Sequence, residues 1–386
     1  MILIVWLAAS LLPAGIASEG RGHEPAGAIN ASLAETAAPA PGQITGEPWT
    51  GDKGISETTA EIMGREAIHT ARKRDADPAP KRIRPDRRNL PQNPDALLDT
   101  QWPAIPETTS EEERETLRGL RAVEAQTLGP SFTGATLSET SSFPPDTMGD
   151  VGPTQYLVGV NGRIKVFDKA TSTLGALNAD MDVFFQSVRG ASFTSDPRVR
   201  YDRLSGRWFV IMINVDSVNN RIVLAVSNNA TITAATVWTF FQFVNSAVTP
   251  TGDTGCFADY PTLGIDASAL YIGVNNFCPN SFAGTTAFVV RKSSILGGGP
   301  IVVSAFRNLT GTPGGPGIYT PQGVDNTSAA ATEGYFIGPD NITFGALVVR
   351  RVSNPGGVPT ISPNIFIPVL ATSLPRTVPH LGNNNG

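Results

Sequence analysis

The chain has 386 residues, 40% hydrophobic, 8% aromatic and 16% charged, with a formal net charge of −5 and a pI near 5.4. That acidic balance gives no general case for nucleic acid or an anionic membrane as partner. Length alone admits two domains, but the Pro-rich first third and the strand-rich remainder argue for one folded domain behind a long lead.

Residues 1–17 read MILIVWLAASLLPAGIA, an apolar run that ends in small residues suited to signal peptidase. Residues 1–18 are therefore expected to be a signal peptide. The run is too short and too broken by Pro and Gly for a membrane span. No Lys or Arg precedes it, which leaves room for a start codon farther upstream. The mature chain is expected to be secreted, periplasmic or at the cell surface, with no transmembrane span.

Residues 19–130 are rich in Ala, Pro, Gly, Thr and charge, and are expected to be disordered and protease-sensitive. The basic run Arg72-Lys73-Arg74, Lys81-Arg82, Arg84, Arg87-Arg88 is interleaved with prolines and holds no aromatic. It reads as solvated linker rather than a nucleic-acid patch. Residues 110–126 carry one short helix signal, with Ser110 as N-cap and Glu113 at the capping-box position. Its apolar face of Leu117, Leu120 and Val123 is thin.

From residue 131 onward one grammar recurs four times: an Asp- or Pro-bearing first strand, a polar turn, a bulky second strand and a third strand. The second copy, Asp196 to Ile213, is the clearest. Val199 and Tyr201 alternate with Arg198, Arg200 and Asp202; a turn at 202–206 follows; then Arg207 to Ile213 is fit for burial on both faces. In the first copy, Asn161-Gly162 between two apolar runs predicts a type I′ hairpin. The aromatic anchors Tyr156, Trp208, Tyr271 and Tyr335 recur at intervals of 52, 63 and 64 residues. Such repetition predicts an all-β chain of four β-propeller-like blades. A β-sandwich is the rival, but it has no reason to repeat one hairpin.

Cys256 and Cys278 fit no zinc spacing. If Asp266 to Ala269 is a four-residue loop, Ile265 pairs with Leu270, and that register brings the two cysteines opposite each other within one residue. A bulge near Pro261 absorbs the difference, and an exported chain is expected to oxidise the pair.

The motifs FPPDTMGDVGP, YLVGVNGRIKVFDK, SDPRVRYDRLSGRWFV, DYPTLGIDASALYIGVNNF and VPHLGNNNG, taken together, resemble a largely uncharacterised family of large secreted bacterial proteins with a propeller-like domain. The resemblance covers Phe143 to Leu370 and implies no established substrate. It implies a propeller that continues past the position matching Gly386. The domain at 131–386 is therefore expected to be truncated at its C-terminus and to form an open arc with apolar, bare-edged ends.

No GxSxG, HExxH or P-loop is present, and His23, His69 and His380 lie in the lead or at the chain end, so histidine-based nucleophilic catalysis is not supported. The carboxylates remain. Asp146, Asp150, Asp196 and Asp259 each precede the first strand of a repeat, and equivalent positions of blades converge on one end of the axis. They are candidate calcium ligands, or an acid/base pair acting on sugars; the plainer reading has each one capping its own turn. Trp208, Phe209, Tyr271 and Tyr335 read as core rather than as a sugar platform. The expected function is a binding or interaction module for extracellular polysaccharide or protein. The alternative is an extracellular glycoside hydrolase or lyase that uses the axial carboxylates, marked by a convergent pair with one raised pKa.

Overall fold

Runs of Val, Ile, Phe and Tyr favour strands, and here they assemble into four consecutive antiparallel sheets. The computed structural model describes residues 42–74, 81–82 and 131–370, apart from 217–218, 279–280, 311–314 and 344. The expected signal peptide, the helix at 110–126 and the VPHLGNNNG segment lie outside the described residues.

The described chain opens with β1 (Ile44–Thr45), β2 (Trp49–Thr50), β3 (Ile55–Thr58) and helix α1 (Thr59–Arg74). After β4 (Lys81–Arg82), α2 (Leu137–Thr140) and β5 (Ser142–Phe143) come the four sheets. The first holds β6 (Met148–Val151), β7 (Gln155–Val160), β8 (Arg163–Asp168) and β9 (Leu174–Ala179), and α3 (Met181–Phe184) leads onward. The second holds β10 (Thr194–Asp202), β11 (Arg207–Asn214), β12 (Arg221–Ser227) and β13 (Val237–Val244). The third is built from β14 (Phe257–Asp259) and β15 (Gly264–Ile265), both on β16 (Ala269–Phe277), then β17 (Phe282–Arg291), α4 (Lys292–Leu296) and β18 (Val302–Phe306). The fourth holds β19 (Gln322–Gly323), β20 (Glu333–Pro339) and β21 (Ala346–Ser353), with β22 (Thr360–Ile361) and β23 (Ile365–Pro368) both on β21.

Each inner sheet buries both faces, as the sequence of β11 requires. Phe209, Ile211 and Ile213 face a core shared with Leu270, Ile272 and Val274 of the third sheet. Trp208, Val210 and Met212 alternate with them and join a core with Leu157, Ile164 and Val166 of the first. Tyr271, Val289 and Phe306 form the third core, with Phe336 and Val348 of the fourth sheet. This is the expected β-propeller-like architecture. Among the described residues the sheets do not close into a ring: the first and fourth sheets share no buried core and no strand pairing. The anchors follow that geometry. Trp208 and Tyr271 are fully buried, whereas Tyr156 and Tyr335, in the terminal sheets, are half-buried. At the far end β23 leaves Ile365, Phe366 and Ile367 exposed.

The disulfide Cys256–Cys278 is formed, with its Cα atoms 4.3 Å apart. The register is as the sequence suggested. Ile265 pairs with Leu270, but Phe257 pairs with Phe277, so one residue of slip is taken up between Asp259 and Gly264, around Pro261. Closing a 22-residue separation stabilises the fold by about 3 kcal/mol in the chain-entropy description. The 161–162 hairpin is also present, with Val160 opposite Arg163. It is not type I′, which needs positive φ at both central residues; Gly162 has φ 82°, and Asn161 is not among the positive-φ residues.

The largest departure from expectation is in residues 44–74, whose composition predicts part of a disordered lead. They form a strap that crosses the outer edges of the sheets in reverse order. β1 pairs with β22 of the fourth sheet, β2 with β18 of the third, and β3 with β13 of the second. Helix α1 then packs on β9 of the first sheet. Thr58 and Glu61 form a capping box at its start, the Thr58 N–H donating to Glu61 Oε2 (2.7 Å) and the Glu61 N–H to Thr58 Oγ1 (3.2 Å). Glu66 fixes its inner face by accepting from Arg163 Nη1 (2.6 Å) and the Asp180 N–H (2.9 Å), and Ile62 is fully buried. The strap's Pro, Gly and Thr content hides it, because its strands are held mainly by backbone bonds to ready-made sheet edges. Those bonds cover open edges that would otherwise recruit other strands.

At the first sheet's free face, Phe132 stacks near Phe167 (4.8 Å) and Tyr156 (6.1 Å), and Glu139 pairs with Lys165, whose cation is the main cause holding that carboxyl below its ordinary pKa. The 132–143 stretch thus covers the face rather than supplying a closing strand.

If the strap is integral, Ile62→Ala should cost about 2–5 kcal/mol, as for other buried aliphatic truncations. Urea unfolding monitored by tryptophan fluorescence checks this, and an unchanged midpoint would place the strap outside the cooperative unit.

Candidate functional site

The four first strands carry the polar chemistry, and it separates into two groups, one at their starts and one at their ends. At the starts, each sheet has one residue with positive φ: Asp146 (41°), Asp196 (59°), Tyr260 (54°) and Thr320 (48°). The last three each precede a proline. In each of those three the N–H donates to a side-chain oxygen of the preceding sheet. Asp196 N–H reaches Asn161 Oδ1 (2.9 Å), Tyr260 N–H reaches Asp196 Oδ2 (3.2 Å), and Thr320 N–H reaches Asn275 Oδ1 (3.1 Å). Asn161 is fully buried and also donates through Nδ2 to Asp146 Oδ2 (2.7 Å) and the Pro144 carbonyl (2.9 Å). Asn275 donates through Nδ2 to Thr320 Oγ1 (2.9 Å). Arg198 strengthens the second joint, donating to the Pro261 carbonyl (2.6 Å) while its guanidinium lies 4.5 Å from the Tyr260 ring centre.

These joints place the calcium candidates. Asp146 and Asp196 meet through Asn161, and Asp196 reaches the N–H of the residue after Asp259. Asp259 is buried at the end of β14, opposite Asn275. Asp150 stands apart at the other end of β6, where it accepts from the Tyr201 N–H (2.7 Å) and the Val151 N–H (2.7 Å). Among the described residues no three His, Cys, Asp or Glu side chains are grouped to hold a metal. The carboxylates of Asp146, Asp150 and Asp196 each carry a protein donor: Asn161 of the same sheet for Asp146, and for Asp150 and Asp196 both a sequence neighbour (Val151, Ser195) and an N–H of the next sheet (Tyr201, Tyr260). The signal for the joints was present in the sequence as the shared tripeptides Gly159-Val160-Asn161 and Gly273-Val274-Asn275. The second glycine is needed for close approach: a Cβ on Gly273 would lie 1.9 Å from the Pro321 carbonyl oxygen.

At the ends of the first strands lies a cavity of about 320 Å³ lined from all four sheets, by Asp150, Arg200, Tyr201, Asp202, Arg203, Ile265, Asp325 and Asn326 among others. Asp325, which the sequence reading had not singled out, accepts from the Ile265 N–H (2.9 Å) and from Arg200 Nε (2.8 Å), joining three sheets. Asp202 pairs with buried Lys292 (2.5 Å), whose Nζ also donates to the Asp266 carbonyl (2.6 Å). Burial, with Asp202 beside it, raises the Tyr201 hydroxyl above its ordinary pKa. Tyr271, expected in the core, is there; burial and its bond to Asp266 Oδ2 (2.5 Å) push its hydroxyl well above the usual range. Chemically, the cavity offers hydrogen-bond acceptors, two guanidinium groups and an amide around a space of small-ligand size.

No family model and no curated protein matches the chain. Solved structures do. An α-L-arabinanase from Penicillium chrysogenum superposes with a TM-score of 0.35 at 14% identity, over 57% of this chain and 65% of that one. An exo-β-1,3-galactanase from Phanerochaete chrysosporium gives 0.31 at 10% identity, over 57% and 49%. A xylan β-1,4-xylosidase from Bacillus halodurans gives 0.31 at 14% identity, over 57% and 41%. The chain thus spans less than two thirds of each of these proteins. At this level of identity and superposition the likeness carries no argument about this chain's activity.

Asn161→Ala removes three bonds from a buried joint and should destabilise the fold by about 2–4 kcal/mol, since the stranded N–H and carboxylate lose their partners inside. Asn161→Asp should cost less for the Asp196 N–H, which keeps an acceptor. Denaturation midpoints that do not change in either variant would remove the joint from the account of stability.

Proposed function

We propose that the chain is a secreted or cell-surface propeller that binds extracellular polysaccharide in the cavity at the ends of its first strands, and that it belongs to the secreted bacterial family its motifs resemble. The observation that carries this reading is the lining of one cavity by all four sheets, with Asp150, Arg200, Asp202, Arg203, Asp325 and Asn326 supplying paired donors and acceptors. Sugar hydroxyls need such paired groups. The Cys256–Cys278 disulfide fits an oxidising compartment, and no described helix is long and apolar enough to cross a membrane.

Hydrolysis of the bound saccharide is the second reading. It is favoured by one feature: carboxylates of three different sheets, Asp150, Asp202 and Asp325, line the same cavity. A pair flanking a glycosidic bond is what glycoside hydrolysis requires. Against it, the oxygens of all three are engaged by N–H or cationic donors, some from their own turn and others, the Tyr201 N–H, Lys292, Arg200 and the Ile265 N–H, from a neighbouring sheet.

Arabinan, xylan and β-1,3-galactan are suitable first probes, tested by affinity electrophoresis and by release of reducing ends. Arg203 is exposed, so Arg203→Ala should weaken binding at least tenfold, about 1.4 kcal/mol, without moving the unfolding midpoint. Retention of all three polysaccharides unchanged by Arg203→Ala, or no retention at all, would overturn the binding site. Reducing ends released by the wild type, and lost in both Asp150→Asn and Asp325→Asn, would make hydrolysis the correct reading.

A further inference from the structure

A buried carboxylate oxygen without a donor or cation is costly, because it has given up water for nothing. One such oxygen stands away from the axial cavity, where the turn after β18 meets the end of β20. Asp340 is 7% exposed and Asn341 8%, and Asp340 Oδ2 and Asn341 Oδ1 have no hydrogen-bond partner. Thr310, fully buried, has an unpartnered Oγ1.

The three residues converge on one short backbone segment. Gly317 N–H donates to Asp340 Oδ1 (2.7 Å), the Asn341 N–H donates to the Gly317 carbonyl (2.8 Å), and Asn341 Nδ2 donates to the Gly315 carbonyl (2.9 Å). A Cβ on Gly317 would lie 2.2 Å from the Leu309 carbonyl oxygen and 2.9 Å from Thr310 Cα. The frame is fixed from outside, since the Leu309 N–H donates to the Thr285 carbonyl (3.0 Å) and Thr285 Oγ1 to the Ile318 carbonyl (2.9 Å). Arg350 reaches this neighbourhood, donating through Nη2 to the Leu309 carbonyl (3.2 Å) and through Nη1 to the Ser362 carbonyl (2.7 Å); its Nε is buried without a partner, and it forms no ion pair with Asp340. Burial lowers the Arg350 guanidinium to about 10.

We propose that these unsatisfied oxygens hold a structural calcium ion, with Asp340 Oδ2 and Asn341 Oδ1 as side-chain ligands and Thr310 Oγ1 beside them. Every available donor atom is oxygen, and a carboxylate, an amide and a hydroxyl are what a hard cation takes. Calcium tolerates irregular geometry and completes its shell with carbonyls and water, whereas magnesium demands a near-ideal octahedron. With one carboxylate the site belongs at the weak end of calcium affinities, about 10⁻⁴–10⁻³ M. The ion would pin Thr310 to the 340–341 turn, and so the end of the third sheet to the fourth. The site shares no residue with the axial cavity and does not depend on the saccharide reading.

Thermal unfolding of the full chain in EGTA and in about 10 mM calcium tests the proposal, about ten- to a hundredfold above the expected dissociation constant. Calcium should raise the midpoint by about 2–4 °C. Asp340→Asn keeps an oxygen for the Gly317 N–H, so it should fold, and its midpoint should not respond to calcium. Equilibrium binding of radioactive calcium to the wild type, with one ion per chain expected, gives a reading that does not depend on the variant's stability. A wild-type midpoint indifferent to calcium with no bound ion would show that waters alone satisfy these oxygens and overturn the site. An equal calcium response in Asp340→Asn would do the same by placing the ion elsewhere.

Discussion

The two inner sheets of this chain are apolar on both faces, so neither is stable without a neighbour on each side. Strand β11 makes the constraint visible, with Trp208, Val210 and Met212 in one core and Phe209, Ile211 and Ile213 in the next. A row of such sheets must close on itself or cover its ends. Among the described residues it covers its first end, through Phe132 and Glu139 on the outer face of the first sheet and helix α1 against β9. At the other end β23 is left with an exposed apolar surface.

Hydrophobic contact between sheets is not directional, and polar contacts set how they meet. The three joint hydrogen bonds use the same geometry: a first-strand residue in the left-handed region turns its N–H toward the sheet before it. Asp and Asn adopt that conformation with little strain; Tyr260 and Thr320 do so at some cost, and for both the following proline limits the alternatives. Asp196 both receives and gives in this series, bonding Asn161 through its N–H and Tyr260 through its carboxylate. The strap adds a second, outer connection, because one continuous segment pairs with the fourth, third and second sheets before α1 reaches the first. Among the described residues, inner joints and outer strap together hold an arc in register without ring closure.

Much of this was legible in the chain. Period-2 alternation and bulky second strands gave the sheets, aromatic spacing gave their number, and hairpin register gave the disulfide with its one-residue slip. The strap was not legible, because Ile44–Thr45 and Trp49–Thr50 carry too few apolar residues to announce strands. Their stability comes from edges that exist only once the sheets have formed. The Thr58-Thr59-Ala60-Glu61 capping box was visible, but it was masked by the surrounding Pro, Gly and charge. The first-strand carboxylates stand out in the sequence, but which residues line the cavity is not readable there. Asp325 lies in the least regular repeat, and its partners, Ile265 and Arg200, are 60 and 125 residues away in sequence.

The central claim is that strap and sheets form one cooperative unit, and native-state amide hydrogen exchange resolved by residue tests it most directly. The N–H groups of Gly46, Gly51 and Gly54, bonded to Pro359, Ile301 and Gly298 carbonyls, should be protected together with those of Asp196, Tyr260 and Thr320 in the joints. Their opening should follow the global unfolding free energy. Rapid exchange across residues 44–74 while the sheets stay protected would contradict the account and reduce the strap to a loosely adhering segment.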